Sequence, residues 1–85
     1  MEDKKWSLYI LQCGDGTFYT GIAVDVQKRL ETHRRGKGAR YTRGRGPLEL
    51  VYEEECGDHS AALRREIQIK KLSRQEKEAL IQNGE

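Results

Sequence analysis

Two short apolar runs separated by Gly14-Asp15-Gly16 constrain this chain more than any other feature. Leu8 to Cys13 carries Leu, Tyr and Ile, and Thr17 to Ile22 carries Phe, Tyr and Thr. Aromatic and β-branched residues on both sides of a Gly-Asp-Gly break predict a hairpin. The loop length decides what that hairpin displays, because strand side chains alternate faces. A two-residue turn at Asp15-Gly16 pairs Gly14 with Thr17 and sends Tyr9 and Tyr19 to opposite sides. A three-residue loop with a bulge pairs Cys13 with Thr17 and puts both phenols on one face. The sequence permits both forms, and only the second lets two phenols meet one ligand, so the three-residue form is the expectation.

After Ile22 the period changes. Asp25 suits an N-cap, and Val26 and Leu30 supply the apolar stripe of a helix ending near Gly36. Arg29 and His33, four residues apart, stack on one flank of it. Gly36 to Pro47 holds four glycines and one proline among Arg40, Tyr41, Arg43 and Arg45, which predicts a mobile basic loop without a regular element. Pro47 lacks an amide hydrogen and should open the next strand, Leu48 to Cys56, with Leu48, Leu50 and Tyr52 alternating.

Asp58 is a second N-cap, starting a helix through Ala61, Ala62, Leu63, Ile67 and Ile69 to Leu72. At 100° per residue Glu66 falls in the arc bounded by Ala62, Leu63, Ile67 and Ile69, so an acid lies on the face that should be buried and needs a partner. Lys70, four residues on, could supply an ion pair, and a metal ion is the functional alternative. Ser73-Arg74-Gln75-Glu76 is a capping box opening a last helix with Ala79, Leu80 and Ile81, which stops at Asn83-Gly84. Residues 1–85 are one domain: α+β, a small three-stranded, mainly antiparallel sheet flanked by helices, in the order β-β-α-β-α-α.

Sixteen Lys and Arg oppose fourteen Asp and Glu, but the positive charge is concentrated. Lys28 to Arg45 carries eight basic side chains and one acid, Glu31, and the other residues hold eight bases and thirteen acids. Such a field favours a polyanion. Glycines let a backbone approach a phosphate and arginines pair with its oxygens, so Arg34, Arg35, Lys37, Arg40, Tyr41, Arg43 and Arg45 are the candidate nucleic-acid surface. Cys13 and Cys56 have neither C-x-x-C nor metal-type spacing and are expected as reduced thiols packed in strands. Met1 to Lys5 is too short and charged for a signal sequence, and no apolar run nears ~18 residues, so the expectation is a cytoplasmic protein, a monomer without a membrane partner.

With Tyr9, Tyr19, Gly21, Arg29, His33 and Glu66 in order, the chain resembles the GIY-YIG nuclease domain from about Trp6 to about Leu80. Ser7-Leu8-Tyr9 stands at the first family tripeptide and Tyr19-Thr20-Gly21 at the second; Tyr9, Tyr19 and Gly21 match while the remaining letters drift. Arg29 matches the helix arginine, His33 the polar ring position after it, and Glu66 the metal-binding carboxylate. Gly36 to Pro47 resembles the signature of the small stand-alone bacterial branch.

The resemblance implies hydrolysis of phosphodiester bonds with one divalent cation, Mg²⁺ or Mn²⁺, at Glu66. It gives Arg29 the charge on the phosphoryl oxygens, and gives Tyr19, with Tyr9, the attacking water; a phenol with a pKa near ~10 must be shifted down to act as a base at neutral pH. Gly21 keeps a structural role, and His33 joins Tyr9, Tyr19 and Arg29 in the catalytic set. Excision-repair members carry a lysine directly after the second glycine, where this chain has Ile22. DNA ahead of RNA is the implied substrate, branched or damaged DNA included, with room for a targeting partner protein. The rival is a non-catalytic nucleic-acid-binding module that keeps the fold and the basic loop.

Overall fold

The computed structural model describes residues 4–83; Met1 to Asp3, and the expected helix stop at Gly84, lie outside the described residues. Strands β1 (Trp6–Gln12) and β2 (Phe18–Ala23) are followed by helix α1 (Val26–Arg34), a short 3-10 helix (Arg40–Thr42), β3 (Glu49–Gly57), α2 (His59–Lys70) and α3 (Arg74–Asn83). The sheet is antiparallel in the order β2-β1-β3, so the expected architecture holds.

β1 is central, and Leu8, Ile10 and Leu11 are fully buried with Tyr9 at 1% exposure. A strand covered on both faces needs no polar alternation, which accounts for the unbroken Leu8-Tyr9-Ile10-Leu11 run. Odd positions of β1 pack with Val26 and Leu30 of α1 and with Leu48; even positions pack with Ile69 of α2 and Leu80 and Ile81 of α3. The chain is thus helix, sheet, helix pair, with one small core on each side of the sheet. Each aliphatic side chain so buried contributes about 1.5–3 kcal/mol.

The caps lie where the sequence placed them. Asp25 accepts from the Lys28 amide, Asp58 from the Ala61 amide, and Ser73 and Glu76 exchange hydrogen bonds with each other's amides. At the end of α1, Gly36 takes φ +77° while its amide and that of Lys37 bond back to His33 and Thr32, a Schellman closure.

Two packing expectations are corrected. The pairing of β1 with β3 steps from Ile10–Tyr52 to Leu11–Leu50, leaving Val51 as an extra residue. That bulge reverses the alternation: Leu48 and Leu50 pack on the α1 side, Val51 and Tyr52 on the other. In α2 the covered arc holds Ala62, Arg65, Glu66 and Ile69, whereas Leu63 and Ile67 are 39% and 54% exposed. The helix meets the sheet along a narrower line than its apolar residues suggest.

Candidate active site

The hairpin takes the three-residue form. Cys13 donates to the Thr17 carbonyl at 2.8 Å, Gly16 donates back to the Cys13 carbonyl, and Gly16 carries φ +88°. Tyr9 therefore lies opposite Gly21 and Tyr19 opposite Leu11, on the same face, with ring centroids 6.3 Å apart. The phenol of Tyr9 lies across Gly21, where a Cβ would stand 2.6 Å from its oxygen. Gly21 is required by that crossing.

His33 fits between the tyrosines, 6.0 Å from the Tyr9 ring and 5.2 Å from that of Tyr19, at 1% exposure. Its Nε2 is 2.9 Å from the Tyr9 hydroxyl and its Nδ1 is 2.9 Å from the Thr42 hydroxyl. The Ala39 amide donates to Nδ1 at 3.3 Å. Both ring nitrogens are thus engaged inside the protein, Nε2 with the Tyr9 hydroxyl and Nδ1 with the Thr42 hydroxyl and the Ala39 amide. Burial and the nearby Arg29 charge hold the imidazole's pKa below its ordinary value, keeping it neutral at pH 7.

The four residues expected to act together do converge, but in two layers. Tyr9 and His33 are sealed; Tyr19 and Arg29 are only half-buried. Burial pushes the Tyr9 phenol up to about 12, with the Tyr19 and Glu66 charges adding to the rise and Arg29 opposing it. A sealed phenol with a raised pKa stays protonated at neutral pH. Both His33 nitrogens are engaged inside the protein, so the ring positions Tyr9 and is closed to metal.

Glu66 lies close enough for its charge to be felt at Tyr9. Its carboxylate is paired with Lys70 at 3.2 Å, the two side chains being 17% and 54% exposed. Among the described residues no three His, Cys, Asp or Glu come together. One carboxylate oxygen donor suits a hard cation such as Mg²⁺, which keeps several waters and takes phosphate oxygens, and does not suit zinc. The half-exposed Lys70 can swing away. Ile22, at the family's lysine position, packs against the Leu8, Ile10 and Ile69 side of the sheet.

The basic segment is more ordered than expected. It contains the 3-10 helix, is tied at its start by Ala39 and Thr42 to His33, and at its end by the Arg45 carbonyl to the Gly14 amide. Arg45 also pairs with Asp15 and covers the Tyr41 ring at 4.4 Å, and Tyr41 lies 5.9 Å from Tyr19. Arg34 donates to the Leu48 carbonyl at 3.0 Å. Arg34 and Arg45 thus hold the loop, whereas Arg35, Lys37, Arg40 and Arg43 have no side-chain hydrogen bond or ion pair among the described residues and face solvent. Thr42, 2% exposed and bonded to both His33 and Ala39, was missed as a functional residue. Its only signal was a hydroxyl amid arginines.

A sheet that crosses two tyrosines over a glycine, with an arginine and an imidazole from the next helix, defines a GIY-YIG nuclease domain. The model of the GIY-YIG catalytic domain matches residues 5–79, and the chain belongs to that family. Its relatives within it are UPF0213 proteins, a small stand-alone GIY-YIG family. The UPF0213 protein of Yersinia enterocolitica is 49% identical over 98% of this chain and 86% of its own length, and that of Yersinia pestis is 49% identical over 95% and 85%. Among solved structures, the UPF0213 protein of Bacillus halodurans shares 45% identity at a TM-score of 0.62, over 94% of this chain and 85% of its own. A protein from E. faecalis shares 36% identity at 0.61, over 94% and 88%.

Proposed function

We propose that this chain is an endonuclease that hydrolyses phosphodiester bonds of DNA, branched or damaged DNA included. The observation that carries the reading is the open layer of the site: Arg29 and Tyr19 stand half-exposed beside Tyr9, and Arg29 forms no ion pair among the described residues. An unpaired guanidinium on a rigid helix is a ready anchor for a phosphoryl oxygen. Tyr19 is the phenol that water can reach, so it orients the attacking water, while Tyr9 and His33 fix the ring and the guanidinium around it. Arg35, Lys37, Arg40 and Arg43 hold the flanking phosphates. Glu66 is the residue that would hold Mg²⁺ or Mn²⁺, which supplies charge neutralisation at the phosphate when bound.

The ion pair between Glu66 and Lys70 favours a second reading, a module that binds nucleic acid and does not cut it. One substitution separates the two. Glu66→Gln keeps the shape of the side chain, and an i,i+4 pair with one half-exposed partner contributes only about 0.3–0.5 kcal/mol, so the variant should stay folded. Supercoiled plasmid should be nicked by the parent with Mg²⁺, left intact with chelator, and left intact by Glu66→Gln, which binds DNA at least as tightly because a negative charge has gone. A parent that cuts nothing with either ion, and whose melting temperature ignores both, supports the binding module.

A further inference from the structure

At the end of the sheet where β1 begins, two open hollows flank Trp6. One, of about 480 Å³, is lined by Lys4, Trp6, Ile22, Ala23, Val24 and Arg29. The other, of about 500 Å³, is lined by Lys4, Lys5, Trp6, Gly57, Asp58 and His59. They share Lys4 and Trp6, and both are within the size range of small-molecule sites. The strand pairing helps keep the second one open: Trp6 lies opposite Gly57, where a Cβ would meet nothing within 4 Å. The His59 ring packs edge-on to the indole at 4.5 Å. In the first hollow Val24, 43% exposed, leaves apolar surface beside the ring with no core to join.

The chemistry of this trough is an indole between cations. Lys4, Lys5 and Arg29 line it against a single acid, Asp58, which is occupied in capping α2. Arg29 is also the guanidinium of the active site, so the hollow begins where the substrate phosphate would end. Apolar ring surface with positive charge beside it is how proteins hold unpaired bases, the ring taking a base and the cations the phosphates on each side. A base inside a duplex is stacked on its neighbours and cannot enter.

We infer that Trp6, in the hollow it lines with Lys4, Ile22, Val24 and Arg29, is a stacking platform for an unpaired nucleobase next to the phosphate held by Arg29, which makes single-stranded segments the preferred substrate. The inference rests on the reading of Arg29 as a phosphate anchor, but it concerns binding and needs no cleavage.

Trp6 is the only tryptophan of the chain, so its fluorescence reports on the platform alone. In chelator, the parent is titrated with oligothymidylate, with a strand of equal length made of abasic sites, and with a duplex of equal length, while the anisotropy of labelled copies gives the affinities. Oligothymidylate should quench Trp6 to saturation; the abasic strand and the duplex should bind through their phosphates with little quenching. Trp6→Ala should weaken oligothymidylate by about 5-fold or more, the low end for one base on one ring, and leave the abasic strand unchanged. Trp6→Phe should recover part of the loss. Should Trp6→Ala fail to fold, Val24→Glu, a change at an exposed site, should lower the affinity for oligothymidylate more than for the duplex. Oligothymidylate that binds without quenching, equal quenching by the duplex, or no binding of any strand would each overturn the platform. A protein that nicks plasmid yet shows no quenching loses this inference and keeps the nuclease reading; one that quenches and never cuts does the reverse.

Discussion

Each face of the sheet carries a tyrosine cluster, and the two are built to opposite ends. On the α2 side Tyr52 donates to Glu54 at 2.6 Å, and Arg65 grips both oxygens of Glu54 at 2.9 and 3.2 Å and reaches Gln68 as well. Its acid and its base cancel. On the α1 side Tyr9, His33 and Thr42 are neutral, Arg29 brings a charge, and the nearby acid Glu66 is paired with Lys70. Both phenols are pushed up, Tyr9 by burial first and Tyr52 by burial and then Glu54, so pKa alone does not tell them apart. What differs is the balance: the acid and base of the α2-side cluster pair with each other, whereas Arg29 forms no ion pair among the described residues, and on the proposed reading that second cluster is the site.

Arg29→Ala tests that contrast with the largest effect. Removing a charge-stabilising donor lowers the rate by about 10²–10³-fold, whereas stability should change by less than about 0.5 kcal/mol because no ion partner is stranded. Single-turnover cleavage and urea unfolding check the two halves. A large stability loss with normal cleavage would make Arg29 structural and erase the difference between the faces.

Gly38→Ala should come next. A Cβ there would stand 2.2 Å from Nδ1 of His33, and the ring, held by Tyr9 and Thr42, has nowhere to move. Overpacking of this kind costs about 1–3 kcal/mol. Cleavage should fall too, since Tyr9 is positioned through the same ring, so a variant that is destabilised but fully active would uncouple His33 from the site.

On the balanced face, Arg65→Met should cost about 1–2 kcal/mol by leaving part-buried Glu54 with only Tyr52 and Cys56 as partners, and cleavage should not change. The predicted pattern is a double dissociation: rate without stability for Arg29, stability without rate for Arg65. Loss of rate in Arg65→Met would show that the faces are coupled through β1.

Local signals were the legible part of this chain. Asp25, Asp58 and the Ser73–Glu76 box each act within four residues of themselves, and Gly14-Asp15-Gly16 fixed the hairpin once the phenols had to converge. The Tyr, Arg and His positions followed from spacing and from the resemblance. What the sequence hid was non-local. The bulge at Val51 depends on how β3 meets β1, and no residue type announces it. Thr42 matters through a ring nine residues away, and the basic segment is ordered by anchors at Gly14, Asp15 and His33 that its own composition does not contain.

The smallest effect concerns protons. The unfolded chain's histidine titrates near ~6.5, and in the fold burial and Arg29 hold His33 lower, so the unfolded state binds the proton more readily. Stability from the neutral ring is therefore complete above about pH 6.5 and is lost as pH falls through the lower folded value. The groups facing the ring are Tyr9 and Tyr19 from the sheet, Thr42 and Ala39 from the loop and Arg29 from its own helix, and none of them is an acid that would welcome the charge. His33→Gln removes this titration and keeps a polar side chain. Urea midpoints taken in steps from about pH 7.5 to about pH 5.5 should decline more steeply in the parent than in the variant. Parallel curves would mean that the ring accepts its proton in place, and the α1 face would then have a counter-charge that the contrast between the two clusters denies it.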